Sequence, residues 1–461
     1  MRICALGLVL SVLVSACVAS SADCEARINQ AALDYVSRVA KVENEIPLEK
    51  ALAAISIPDL STVPQKLTGI RIKSVNLLNL STTLQPGAGL QMTADLDLGL
   101  WGQLMDAAME MTVKVSIRAE IHARLNSEKN IELSISACKT IVGGITPGSK
   151  KGSLQSVLKE LRAHIHAALA EKACLQISTI VLRQNSKIAR ATDKLPLLAE
   201  GQIQYVPLSA PVFARKWINL PLQTTFFFGE QEIPIPPSQA PFALPEQAAD
   251  SSSHVTIGLS QEFYNNFFLA LQTAGAFNLT IQSELTTASL AQQGAKQQVS
   301  TQYPKPLALV LAVVFPKPPA VVLNEGEAVV VLFPTIQIGV QNPGFQVLLS
   351  LDVEMTASLQ VAADNVKMML SLEEEGNFTL SVASSKVGAV EGDQLKELFG
   401  DVIQKEILAR MNELLRDGIS LPHLSLIFNY VDTSVAIHKG YVLIPVNLEY
   451  IEGEGQQATE I

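Results

Sequence analysis

Two long runs alternate apolar and mostly polar residues, and nothing else in the chain restricts the fold as strongly. In Met109–Leu125 the apolar positions are Met109, Met111, Val113, Val115, Ile117, Ala119, Ile121, Ala123 and Leu125. In Phe345–Val361 they are Val347, Leu349, Leu351, Val353, Met355, Ala357, Leu359 and Val361. A period of two puts all of these on one face of an extended strand. Each run is far longer than the usual strand of about five or six residues. Both therefore read as long, twisted antiparallel strands with one apolar face. Leu90–Leu100 alternates in the same way. Such a face needs a cover, and the chain supplies helices to make one.

The first half opens with a helical stretch, Arg27–Ile55, interrupted near Pro47. Ile28, Ala32, Tyr35, Val36 and Val39 form its apolar stripe. A second helix is expected over Ser153–Lys172, with Ser153 as N-cap and Leu154, Val157, Leu158, Leu161, Ile165 and Leu169 on one face. The order repeats in the second half. Ser260–Ala274 reads as an amphipathic helix closed by Gly275. Val366–Leu372 and Phe378–Val382 read as hairpin arms around a tip at Glu373–Asn377, and Asp393–Arg416 as a long helix. Each half thus runs helix, strands, long helix, strands, an α+β pattern repeated in architecture rather than in letters. Between the halves lies EIPIPPSQAPFALP (Glu232–Pro245), whose five prolines exclude helix and central strand and favour an extended spacer.

The chain has 461 residues, 48% of them hydrophobic but only 5% aromatic. That composition demands an aliphatic interior, which is either fully packed or arranged around a long cavity. The most apolar later stretch, Pro306–Leu323, is broken by Pro316, Lys317, Pro318 and Pro319, so no membrane span is expected there. Arg2, the apolar Ile3–Val14 and Ser20-Ser21-Ala22 read as a secretory signal, with cleavage after Ala22 or after Ala19. The rival is a lipoprotein box ending at Cys17. Secretion agrees with three glycosylation sequons, at Asn79, Asn278 and Asn377. In an oxidising compartment one pair among Cys24, Cys138 and Cys174 is expected; Cys138 and Cys174 flank a helical segment. Cys24 is then a buried thiol or the bridge of a disulfide-linked dimer.

Net charge is −10, divided unevenly. Residues 24–230 carry 23 Lys+Arg against 18 Asp+Glu, and residues 231–461 carry 10 against 25. Nucleic acid is an unsuitable partner for such a chain. Basic residues gather at Arg183, Lys187, Arg190 and Lys194 and at Arg215-Lys216, a pattern that a solvated surface explains. No GxSxG elbow, Walker loop or HExxH motif is present. His164 and His166 are two apart on a helix and cannot clamp one metal. Neither an enzyme nor a cofactor site is expected.

Several segments in order resemble one superfamily. They are RINQAALDYVS (Arg27–Ser37), ISIPDLS (Ile55–Ser61), IGLSQEFYNNFFLALQTAG (Ile257–Gly275), LSVASSKVGAV (Leu380–Val390) and MNELLRDGISLP (Met411–Pro422). The chain resembles the superfamily of bactericidal/permeability-increasing protein, lipopolysaccharide-binding protein, the plasma lipid transfer proteins and the PLUNC proteins. It is most similar to a long two-domain PLUNC-type member. Cys138 and Cys174 fall where that family has its N-terminal-domain disulfide. The resemblance implies an elongated boomerang of two pseudo-symmetric antiparallel β-barrels, each with two helices, joined by a central sheet. It divides the chain into a signal peptide (1–22), an N-terminal barrel domain (23–230), a Pro-rich linker (231–254), a C-terminal barrel domain (255–450) and a tail (451–461).

The resemblance further implies a secreted protein that holds phospholipid or another amphipathic lipid in apolar barrel pockets, in innate antimicrobial defence or lipid carriage. The N-terminal stripe residues Ile28, Tyr35, Val39, Leu158, Leu161 and Ile165 are the pocket candidates. Endotoxin-binding members use a basic cluster, but Leu84–Arg124 has only Lys114, Arg118 and Arg124 among five carboxylates, so weak or no lipopolysaccharide binding is expected. The alternative is a surface-active or bulk secretory protein without a specific ligand.

Overall fold

The computed structural model describes residues 21–60, 66–105, 107–148, 155–188, 190, 193–236, 241–246, 252–292, 299, 303–341, 343–425 and 427–451. Residues 1–20 of the signal segment, Cys17 among them, the expected cap at Ser153 and the tail after residue 451 lie outside them.

The alternating runs form long strands as expected. β2 (Leu67–Gln85), β3 (Gly89–Leu104), β4 (Ala107–Leu125) and β5 (Ile131–Pro147) make an antiparallel meander in sequence order. Along β4 every second residue from Met109 to Ile121 is buried and its neighbours face outwards. β1 (Cys24–Asn29) precedes α1 (Gln30–Ala53), which lies along edge strand β2. α2 (Gln155–Asn185) lies along the opposite edge, β5. Both helices bury their inner faces in one core with the meander, so the curled sheet leaves neither flank bare.

The central sheet joins the halves. Its order is β6 (Gly201–Pro207), β7 (Trp217–Phe228), β1, β8 (Val255–Ser260) and β11 (Tyr441–Tyr450), all antiparallel. β1 stands in the middle, with Cys24 opposite Leu222 on one side and Leu259 on the other. The C-terminal half adds α3 (Gln261–Thr273), the paired strands β9 (Phe345–Asp364) and β10 (Lys367–Ser385), and α4 (Gly392–Leu415), within a closed barrel of shorter strands. The Ser260 side chain caps α3 by accepting from Phe263 N, and Gly275 (φ +71°) follows its end.

Several expectations require correction. Residues 27–29 are strand rather than helix, because they belong to β1, which is claimed by two neighbours in the central sheet; Ile28 therefore belongs to a strand. α1 runs through Pro47 without a break, anchored beyond it by buried Leu48 and Leu52. α2 continues thirteen residues past Lys172, because Ala173, Ile177 and Val181 extend the buried stripe. Cys174 is consequently inside the helix, disulfide-bonded to Cys138 of β5 (Cα–Cα 5.8 Å). The hairpin tip is not at Glu373–Asn377. β9 turns into β10 at Asn365-Val366, with Asn365 at φ +50°, and Glu375–Asn377 forms a bulge in β10 instead. Asn365 tolerates that left-handed turn, and Gly376 (φ +79°) serves the bulge.

The described part of the Pro-rich stretch packs on the central sheet. Ile233 and Leu244 are buried, and Leu244 packs on Gly258 of β8, where a Cβ would stand 2.4 Å from the leucine Cδ2. Arg27, 1% exposed, donates to Leu244 O and Pro245 O at 2.9 Å and to Asn219 Oδ1 at 2.8 Å. Its guanidinium also lies 4.7 Å from the Trp217 ring centroid. Glu25, two residues away on the same strand face, accepts from Leu244 N at 3.0 Å and approaches Arg27 to 3.7 Å. Cys24 is a free thiol, 0% exposed between β7 and β8. The dimer expected through Cys24 thus has no accessible sulfur to form it.

Asp23 ends this cluster, 3% exposed, with Thr224 donating from N (2.9 Å) and from its hydroxyl. Burial pushes its carboxyl up to about 6, against the opposing pull of the Thr224 and Asn266 hydrogen bonds.

Two predictions follow from the cluster. Replacing Arg27 with methionine strands the Glu25 carboxylate and two carbonyls, and should cost about 3–5 kcal/mol in urea unfolding. A carboxyl raised from 3.8 to about 6 favours the fold below pH 3.8, and loses that contribution as pH rises through 6. Asp23→Asn should therefore gain on the wild type between pH 4 and 8 by about 3 kcal/mol; parallel pH–stability curves would remove this assignment.

Candidate apolar cavity between the N-terminal sheet and the central sheet

An apolar cavity of about 260 Å³ opens where α1, α2, the meander and the central sheet converge. α1 contributes Ala32, Leu33, Val36 and Ala40, and Ile28 enters from β1. The near ends of β2–β5 add Leu80, Leu90, Met92, Ile121 and Leu133. Ile180, Val181 and Gln184 come from the last turns of α2. Val255 of β8, Leu448 of β11, and Leu424, Phe428 and Tyr430 close the far wall.

Few polar groups reach this space, and most have partners. Ser37 donates to Thr82 Oγ1 at 3.0 Å. His423 donates from Nε2 to Phe428 O, and Tyr430 OH donates to Pro422 O at 2.6 Å. Lys187 at the rim pairs with Glu43 of α1 at 3.2 Å, so the one cation in the lining is held by the opposite helix. Beside α1, His254 accepts at Nδ1 from Leu448 N (2.8 Å) and stacks on Tyr35 (4.9 Å). Burial, and secondarily Arg38, push its pKa down, which suits a neutral ring. A mainly apolar lining suits apolar guests, as an engineered leucine-lined cavity of roughly 150 Å³ does.

The pocket candidates separate. Ile28 lines the cavity. Tyr35 and Val39 line a neighbouring crevice of about 390 Å³ on the other flank of α1, with Val42, Glu43, Glu449 and Tyr450. Leu161 and Ile165 are fully buried in the core between α2 and the meander, and Leu158 packs against that core. Absent from the sequence-based set were the C-terminal wall and the end of α2. The wall carries no local signal, since its residues enter from hundreds of positions away. The end of α2 did carry one, the continuing stripe Ala173–Ile177–Val181.

The C-terminal half offers a crevice of about 270 Å³ beside Phe277, Met411 and Leu414, its rim carrying the 2.8 Å Arg410–Glu413 pair. Its core is mainly aliphatic, with Phe263, Phe267, Phe268, Phe277 and Phe399 packed among the Leu, Ile and Val side chains. Asn79 and Asn278 are exposed. Lys114 faces Asp97 (3.9 Å) and Arg124 pairs with Glu132 (3.0 Å).

This architecture has relatives. Models of the N-terminal and C-terminal domains of the LBP / BPI / CETP family match residues 32–185 and 199–450. The chain belongs to the LBP / BPI / CETP family. Within it, Protein TENP of Gallus gallus is 34% identical over 429 residues, covering 93% of this chain and 95% of that one. BPI fold-containing family B member 2 of Homo sapiens is 32% identical, covering 96% and 98%. The crystal structure of lipopolysaccharide binding protein superposes with a TM-score of 0.58 at 18% identity, over 94% of this chain and all of that one. At that identity the likeness establishes the shared two-domain fold.

Positions at the void and in the packed core should respond in opposite ways to a change of volume. Val36→Phe should cost less than about 1 kcal/mol, against the usual 1–3 for overpacking. Leu161→Ala should cost about 2–5 kcal/mol. Urea unfolding of the two variants checks the contrast.

Proposed function

We propose that this protein is secreted and holds a phospholipid or similar amphipathic lipid by its acyl chain in the cavity between the N-terminal sheet and the central sheet. The observation that carries the reading is the cavity itself: lined mainly by aliphatic side chains, with most of its polar neighbours already hydrogen-bonded. An acyl chain gains roughly 25 cal/mol per Å² on leaving water for such a lining, while its headgroup stays near the Lys187–Glu43 rim. Family membership supports lipid binding and secretion, and the disulfide and the exposed sequon residues Asn79 and Asn278 suit an oxidising, glycosylating route. The same relatives favour a binding role over catalysis, in innate defence or in lipid carriage. Lipopolysaccharide is a poor candidate, because Lys114 and Arg124 already face carboxylates.

Native mass spectrometry of the secreted protein, with lipid extraction of the same sample, tests the proposal. The wild type should retain about one phospholipid-like molecule per chain in this cavity, and folded Val36→Phe should retain markedly less. A lipid-free wild type that also refuses labelled phospholipid would sink the proposal. Equal retention by the variant would move the lipid elsewhere.

A further inference from the structure

α2 is more apolar than the fold requires. Ser156–Asn185 is long and apolar enough by length and composition to cross a membrane, yet only 29% of its most apolar window is buried. It does not cross one here: Ala173, Ile177 and Val181 pack in the core, and the Cys138–Cys174 disulfide pins it to β5. The opposite face of the same turns is bare. Leu175 and Leu182, two helical turns apart, are 60% and 65% exposed. Exposed Lys172 and Arg183 stand on one side of them, and exposed Arg190 follows the helix end. Residues 155–194 hold seven Lys+Arg and three Asp+Glu, 7 − 3 = +4, in a chain whose total is −10. On α1, Val42 and Ile46 are also exposed, at 76% and 62%, and Glu43 ties that helix to Lys187.

We propose that the outward face of α2 is a docking surface for an anionic phospholipid bilayer. Leucines set among cations on an otherwise anchored helix are the pattern of interfacial helices, whose apolar face enters the headgroup–acyl boundary while Lys and Arg meet lipid phosphates. A folded protein partner of ordinary surface would take the leucines but has no need of the local excess of positive charge. Docking also places the cavity. Ile180, Val181 and Gln184 face it from the same turns that carry Leu182, so the docked helix becomes a wall between cavity and membrane. The surface does not depend on the pocket being occupied, and the two can fail separately.

The test is vesicle sedimentation of the full-length protein with phosphatidylglycerol in phosphatidylcholine, beside phosphatidylcholine alone. The anionic vesicles should bind more protein, and added salt should release it. Leu175→Gln/Leu182→Gln should lower partitioning about tenfold, as expected for two half-exposed leucines. Lys172→Gln/Arg183→Gln should lower it about fivefold per charge. All four positions are exposed, so circular dichroism and lipid retention by native mass spectrometry should match the wild type. Val322→Gln, at an exposed apolar site of the other half (43%), should bind like the wild type. No preference for anionic vesicles, undiminished binding by both double variants, or equal loss with Val322→Gln would overturn the proposal. Vesicle binding lost with lipid retention intact leaves the pocket standing; the reverse leaves the surface standing.

Discussion

The Arg27 guanidinium is the contact on which the two halves depend. Burying an ion of this size costs several kcal/mol unless nearly every donor finds a partner. Here the partners come from everywhere the molecule must be joined: Asn219 and Trp217 from β7, the carbonyls of Leu244 and Pro245 from the Pro-rich stretch, and Glu25 from its own strand. A misplaced linker would leave a bare cation in the middle of a sheet. The clamp therefore specifies where the crossing runs as much as it strengthens it. Proline helps, since residues with φ fixed lose less freedom when their carbonyls are captured.

The same junction explains why the void lies where it does. There are two cores, one built from the meander and its helices and the other from aliphatic and aromatic side chains of the central sheet and the C-terminal strands with α3 and α4. Long strands pack well along their length, and the cavity lies where the N-terminal sheet ends and the central sheet begins. The α1 and β8 side chains that face it, Ala32, Val36, Ala40 and Val255, are small or branched. The cavity is a product of the join rather than of either half alone.

Much of this was legible in the chain. Period-two alternation set the long strands and their buried faces, because one misplaced register would turn every Val and Ile of β4 to water. The Ser260 cap and Gly275 marked α3 through local chemistry. What escaped the sequence came from non-local competition. Arg27–Asn29 has a helix-compatible composition and is strand only because two distant strands bind it. Polarity at Glu373–Asn377 imitated a hairpin tip that the Asn365 turn supplies. Of the candidate pocket residues, Ile28 reaches the cavity, Tyr35 and Val39 lie beyond α1, and Leu158, Leu161 and Ile165 serve the core. A helical stripe reports burial, and burial against a sheet looks the same in sequence as burial against a void.

The position of β1 has a consequence for how the molecule is made. The first strand of the fold is the middle strand of the central sheet, and its partners lie far along the chain: Arg27 meets Asn219 across 192 residues and Leu244 across 217. β8, its other neighbour, in turn pairs with β11 at the very end. The meander can form from neighbours as it emerges during synthesis, but β1 must wait, with its cysteine and apolar residues uncovered, until β7 and β8 exist, past the midpoint of the chain. Such long closures are slow and leave strand edges open to wrong partners. A nascent chain of this kind has reason to need a chaperone holding residues 24–29 until β7 and β8 arrive.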